Sequence, residues 1–172
     1  MENYIMLDGQ KFELDNALVG KLRATISSQK LENEKKMSPF KRQKKELFYY
    51  FVDVDGTVGE DKDGHYEIDD ALYKAANYCT DKNLMHQRAL YETLNRLLWR
   101  FSMENGEGEN SWNGINDHYE IYWSCSNEGF VICRNCHAKS LNAVYFPTRE
   151  LAMKAIDEII KPFMEKHLDF TL

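Results

Sequence analysis

Apolar residues recur along this chain in two rhythms, and the changes between them divide it into elements. Tyr4 to Leu14 alternates around Asp8-Gly9, a pair that tolerates the positive φ of a tight hairpin turn, which predicts a β-hairpin. Asp15 can cap a helix to about Gln29, with Leu18, Leu22 and Ile26 on one side. Leu47 to Val52 then reads as an aromatic strand, Asp55-Gly56 as a turn and Thr57-Val58 as the start of a return strand. After a polar stretch, Gly59 to Asp70, a short helix is predicted over Ala71–Ala76. Thr80 is expected to cap a long helix from Asp81 to Met103, its inner face formed by Leu84, Tyr91, Leu94, Leu98 and Phe101. Glu104 to Gly114, rich in Gly, Asn and Glu, reads as a loop.

The pattern then repeats. Tyr119 to Cys125 is a strand, Glu128-Gly129 a turn, and Phe130 to Cys133 a returning strand; Val144 to Phe146 is a third. Thr148 caps a last helix carrying Leu151, Ala155, Ile156, Ile159, Ile160 and Phe163, which Pro162 is expected to kink or end. Residues 48–58 align without gaps on 121–131, setting Gly56 on Gly129 and Val58 on Val131, and Tyr78 and Thr80 match Tyr145 and Thr148. One hairpin with one helix cannot bury its own apolar face, whereas a second copy completes the layer. The predicted class is α+β: antiparallel hairpins with helices packed on one face, a duplicated hairpin–helix unit following an N-terminal hairpin and helix. The expected divisions are 1–29, a basic linker 30–45, a first unit 46–104 and a second unit 105–172.

Composition sharpens this picture. The 172 residues are 43% hydrophobic and 13% aromatic, enough for a folded core and for an aromatic binding surface. The net charge of −6 is uneven. Residues 30–45 hold seven basic and two acidic side chains, while the region after them is strongly acidic. An acidic body lacks the positive footprint of a nucleic-acid reader and favours a basic partner, although the same charge also serves solubility alone. No apolar run reaches the roughly 18 residues of a membrane span, and the first residues, MENYIMLDGQKFEL, lack the pattern of a signal peptide. The expected location is the cytoplasm, where the four cysteines would be thiols or metal ligands.

Three strings bear on chemistry. Asp53-Val-Asp55-Gly-Thr57 after an apolar strand resembles the first motif of haloacid-dehalogenase-type phosphatases, in which the first Asp is the nucleophile and the second a general acid/base beside Mg²⁺. That family needs a parallel sheet, and Asp69-Asp70 follow too soon for a crossover, so the same residues read equally as a hairpin turn. Asp61-Lys-Asp63-Gly64 resembles part of an EF-hand loop, but Gly59 stands where the first ligand belongs. Cys133-Arg-Asn-Cys136-His137 with Cys125 is a candidate Cys₃His zinc site. Idle thiols are the simpler reading. No P-loop, G-x-S-x-G or H-E-x-x-H occurs.

A wider resemblance rests on Pro39-Phe40-Lys41-Arg42, Phe48–Val58, Asn77-Tyr78-Cys79-Thr80, Val144-Tyr145-Phe146, Leu151-Ala152-x-x-Ala155-Ile156 and Lys161-Pro162-Phe163-Met164. With the opening Leu7-Asp8-Gly9-Gln10-Lys11-Phe12-Glu13-Leu14, these strings are similar to those of small accessory proteins of Firmicutes phages and integrative elements. The Cys/His cluster departs from that pattern. The resemblance implies a non-enzymatic anti-defence protein, of the anti-CRISPR kind, which binds a host RNA-guided nuclease and blocks its nucleic-acid-binding surface. On that reading Asp53, Asp55, Glu60, Asp61 and Asp63 form an electrostatic rim, with Trp112 and Tyr119 as further contacts. A phosphatase using Asp53 and Asp55, and a zinc-stabilised regulatory module, are the alternatives.

Overall fold

The computed structural model describes residues 4–7, 10–13, 16–17, 19–25 and 38–171. The Asp8-Gly9 turn, the Asp15 cap, Leu14, Leu18, Ile26 and the linker residues 30–37 lie outside the described residues. The chain divides into two compact units, Met1–Lys41 and Arg42–Leu172. In the first, β1 (Tyr4–Leu7) pairs antiparallel with β2 (Gln10–Glu13), Tyr4 opposite Glu13 and Leu7 opposite Gln10. Residues 16–17 and 19–25 are helical (α1).

The second unit is built from the same motif twice. In its first copy, β3 (Phe48–Val52) pairs antiparallel with β4 (Val58–Lys62). The ladder runs one step further, because Asp63 donates its N–H to Leu47 O and accepts from Glu46 N. On the other side of β3, Tyr50 and Cys79 exchange two backbone hydrogen bonds of 2.7 and 2.9 Å. The Asn77 side chain mimics a strand residue there, accepting from Val52 N and donating to Val52 O. Between β4 and this third segment lies α2 (Glu67–Lys74), which begins earlier than the predicted short helix.

In the second copy, β5 (His118–Ser124) pairs antiparallel with β6 (Gly129–Asn135) and, at Tyr119 and Glu120, with β7 (Tyr145–Phe146). Both copies thus run hairpin, short third segment beside the hairpin's first strand, capped helix; that segment is a single bridge at Cys79 in the first copy, where α2 precedes it, and the strand β7 in the second. A buried tyrosine, Tyr78 or Tyr145, precedes the fully covered residue of each third segment, Cys79 or Phe146. The two turns differ in length. The left-handed residue is Gly56 in the first and Glu128 in the second, and the last ladder pair before the turn is Val52–Val58 in the first and Ser124–Gly129 in the second, so the gap-free alignment breaks at the turn. The architecture is α+β, and every strand pair among the described residues is antiparallel.

The third segments lead into α3 (Lys82–Glu104) and α4 (Arg149–Ala155). Asp81, not Thr80, caps α3, its carboxylate accepting from Asn83 N and Leu84 N. A carboxylate there also meets the positive end of the helix dipole. Thr148 caps α4 through Leu151 N as expected. Pro162 does not end the last helix. A π turn (Ile156–Ile160) precedes it, with Lys161 N–H donating to Ile156 O five residues back, and α5 (Lys161–Lys166) continues beyond. Widening the turn relieves the clash that a proline ring makes with the preceding turn.

Helix α3 departs most from the periodicity reading. Leu84 and Tyr91 are exposed, while Met85 and Ala89 are buried together with Leu94 and Leu98. Met85 and Leu94, like Ala89 and Leu98, are nine residues apart, which at 3.6 residues per turn is two and a half turns. The first half of the helix therefore buries one side and the second half the opposite side. Met85 and Ala89 pack with Val52 and Cys79 of the first copy. Leu90, Leu94 and Leu98 pack with Phe146, Ala152, Ala155, Ile160, Phe163 and Phe170 of the second. No helix among the described residues is long and apolar enough to cross a membrane.

This arrangement has a direct test in urea denaturation. Met85→Ala and Leu98→Ala are each expected to cost about 2–4 kcal/mol, as buried truncations on either side of the helix. Leu84→Ala and Tyr91→Ala are expected to stay within about 1 kcal/mol of the parent, the range of surface substitutions.

Candidate functional site

The acidic segment expected to form one rim divides into an inner and an outer set. Asp63 belongs to the inner set: its side chain is 0% exposed. It accepts from Arg42 Nε at 2.9 Å and Nη2 at 3.1 Å, from His65 N at 2.9 Å and from the Tyr78 hydroxyl at 2.9 Å. Arg42 also reaches Asp70. Asp69 is equally buried and accepts from the Tyr49 hydroxyl at 2.8 Å and from Gly64 N and Tyr66 N, both at 2.9 Å. The Tyr49 and Tyr78 rings stack at 4.4 Å, so two parallel tyrosines each hold one buried carboxylate. Asp63 is therefore a structural residue and not part of a partner-facing rim, because its lone pairs are all directed at internal donors.

The electrostatics follow from this geometry. The Arg42 guanidinium holds the Asp63 carboxyl at about 2, helped by the His65 amide and the Tyr78 hydroxyl and opposed by burial. The same contacts raise Arg42 above its ordinary value and lower Asp70. Burial pushes the Tyr78 hydroxyl up to about 12 and raises Tyr49 as well, with the adjacent carboxylates adding to the effect. By charge Arg42 reads as part of the basic linker 30–45, whereas in the structure it belongs to the second unit. Its sequence signal is that residues 30–45 contain one arginine among six lysines. Only the planar guanidinium can fork to two carboxylates in this way.

The outer set sits on the β3–β4 hairpin. Asp53 N donates to Thr57 O and Asp53 O accepts from Gly56 N, closing the turn, while the Asp53 carboxylate accepts from Val54 N at 2.6 Å. The Asp55 carboxylate accepts from Thr57 N at 2.9 Å and from the Thr57 hydroxyl at 2.7 Å, and these contacts lower it. Gly56 has φ +86, and a Cβ there would lie 2.7 Å from Thr93 Oγ1 and 2.8 Å from an Arg96 guanidinium nitrogen of α3. Both the backbone and the close approach call for glycine. Glu60 is exposed but paired with Lys82 at 3.2 Å. Asp61 is exposed and accepts only from Lys62 N. Asp53, Asp55 and Asp61 thus carry no ion pair among the described residues; Asp53 and Asp55 flank Val54, which is 95% exposed, and Asp61 lies further along β4 opposite Tyr49.

Beside the turn, Val54 and Asp55 share a shallow depression of about 450 Å³ with Thr93, Arg96, Leu97, Trp99 and Arg100. Trp99 and Tyr91 are 59% and 53% exposed. Both lie on the helix whose change of face the periodicity reading missed, so a single apolar stripe gave no signal for them. The aromatic residues expected at the surface are instead occupied. Trp112 stacks on His118 at 3.7 Å, meets the Tyr145 ring edge-on and lies under Lys139 Nζ. Tyr119 packs on the main core, its hydroxyl 3.3 Å from Asp117.

His118 is fully buried. Its Nδ1 is 2.5 Å from Glu107 Oε1 and 3.3 Å from Asn110 Nδ2, and its Nε2 has no hydrogen-bond partner among the described residues. This closed nest joins the 3₁₀ turn Glu107–Glu109, inside the predicted loop, to the start of β5.

The candidate metal ligands do not converge. Cys133 pairs with Glu120 in the middle of the hairpin, whereas Cys125 lies beyond Ser124, which pairs with Gly129. Four residues of extended strand separate the two positions, about 13 Å. Cys136 and His137 lie past the far end of β6, and His137 is exposed. No group of three or more His, Cys, Asp or Glu able to hold a metal occurs among the described residues. For the phosphatase reading, Asp53 ends a strand of an isolated antiparallel pair, not a parallel one.

The role of Asp63 can be measured. Its folded value of about 2 lies below the unfolded carboxylate value near 4. Its stabilisation is therefore full above about pH 4 and drains away as pH falls toward 2. Asp63→Asn is expected to cost about 3 kcal/mol near neutral pH by weakening a buried, hydrogen-bonded charge pair. Denaturation midpoints of parent and variant are expected to converge as the pH is lowered.

No protein-family model, no curated protein and no solved structure matches this chain, so the functional reading rests on the geometry above.

Proposed function

We propose that this protein is a stoichiometric inhibitor that presents the acidic β3–β4 hairpin to a basic, nucleic-acid-binding surface of a host defence nuclease, most simply an RNA-guided one. The observation that carries the reading is the outward set Asp53, Asp55 and Asp61. Asp53 and Asp55 flank an exposed valine at the turn, Asp61 lies further along β4 opposite Tyr49, and none of the three has a basic partner among the described residues. Carboxylates spaced along a hairpin offer a groove that normally holds phosphates a comparable row of negative charge. The turn is held rigid by its own hydrogen bonds and by contact with α3, so little ordering cost accompanies docking.

The neighbouring aromatic residue extends the surface. Trp99 is of a type that dominates interface energetics, and with Val54 it supplies apolar area beside the charge. Arg96 and Arg100 limit the acidic surface on that side and help set its orientation on a partner. Turnover has no place in this account. The carboxylates at the turn are engaged with backbone amides and a threonine hydroxyl.

The test is titration of the purified protein into an RNA-guided nuclease, loaded with guide and unloaded, at rising salt. One equivalent is expected to abolish target cleavage, with affinity falling steeply as salt rises. Neutralising Asp53, Asp55 and Asp61 to Asn together is expected to weaken binding by about tenfold or more. Binding that is indifferent to salt and to these substitutions would remove the electrostatic account.

A further inference from the structure

We infer that a second copy of this chain docks along the outer edge of β6, giving a two-fold dimer in which the three-stranded sheet becomes six-stranded. β4 and β6 are both edge strands, but they are differently protected. β4 ends in Glu60, Asp61 and Lys62, the charges by which natural sheets blunt an open edge. β6 runs Gly-Phe-Val-Ile-Cys before its first charge, Arg134, and has neither proline nor bulge. Alternate residues of such a strand direct N–H and C=O groups away from β5, and another extended strand is the occupant that satisfies them.

The surface beside this edge indicates which strand. β6 and α4 enclose a groove of about 660 Å³ whose lining includes Phe130, Ile132, Arg149, Met153 and Asp157. Arg149, Met153 and Asp157 follow at intervals of four, in the order positive, apolar, negative. Met153 is half exposed, Arg149 has no ion-pair partner among the described residues, and Asp157 accepts from Lys161 of the next turn through one oxygen, leaving the other open to a second cation. A two-fold axis perpendicular to the sheet sets every element antiparallel to its counterpart. With the axis at the level of Met153, Met153 faces Met153 of the second copy and Arg149 faces Asp157 of the second copy, twice. The same axis through Ile132, the middle residue of β6, puts Arg134 opposite Phe130 and brings no like charges together. A patch that complements itself under rotation is what an isologous interface requires, and an unrelated acidic or basic peptide would satisfy only one end of it.

Analytical ultracentrifugation of the full chain tests this. The parent is expected to sediment as a dimer of 20.3 kDa chains. Met153→Glu places two carboxylates at the axis and is expected to raise the dimer dissociation constant by about tenfold or more. Arg149→Asp alone and Asp157→Arg alone are expected to weaken the dimer, and the two combined to restore it, because the exchanged charges pair again. Circular dichroism and melting temperature establish that each variant is folded; both charge positions are exposed, so this series carries the test if Met153→Glu does not fold. A parent that stays monomeric up to about 200 µM overturns the inference. So does a dimer that survives Met153→Glu and both single reversals, since its interface lies elsewhere.

Discussion

The half-turn between the two buried stripes of α3 is the constraint on which the second unit depends. A hairpin of five-residue strands has too little apolar surface to stand alone. Here the first hairpin leans on one side of a 23-residue helix, and β7, α4 and the π turn of the second copy lean on the other. Met85 and Ala89 serve the first copy, and Leu94 and Leu98 serve the second. The helix that ends the first motif is thereby also part of the core of the second. Both motifs share it without sharing a sheet, and Leu84, Tyr91 and Trp99 are left outside on the surfaces neither motif covers.

Polar chemistry completes what the small first copy lacks in apolar area. Asp63 and Asp69 fix the loop between β4 and α2 by accepting its amides and by anchoring two stacked tyrosines. Arg42 closes this arrangement from the chain segment ahead of β3. Buried carboxylates of this kind specify geometry more than they add stability, since desolvation opposes their pairing. They also divide the negative charge of the segment into a part directed inward and a part free to act on other molecules.

Local chemistry made much of the fold legible in the sequence. Turn glycine at 56, the Thr148 cap, aromatic strands and the tyrosine ahead of each helix are short-range signals, and the structure places all of them as read. Apart from the Thr80 cap, which Asp81 takes, what failed was decided by distant contacts. An aspartate in an acidic run reads as solvated, and nothing local marks Asp63 as the one enclosed by Arg42 and Tyr78. A helix with two buried faces has no single period, so a one-stripe reading merges them and selects Leu84 and Tyr91. Trp112 beside a Gly- and Asn-rich loop reads as exposed, although it covers His118. The Cys125, Cys133, Cys136 and His137 string looked compact in sequence, but extended strand carries the first thiol far from the second.

The π turn ahead of Pro162 has a consequence for lineage. One surplus residue within Ile156–Ile160 rotates everything after it by about 100° relative to an unbroken α-helix, and in that orientation Phe163 reaches the core. Removing a single residue from this turn would swing Phe163 off the core and press the proline ring against the carbonyl it now avoids. The proline thus requires the surplus residue, whereas the surplus residue does not require the proline. Kin that lack the proline are free to be one residue shorter at this point, and a length difference there would mark an ancestral branch and not a change of function.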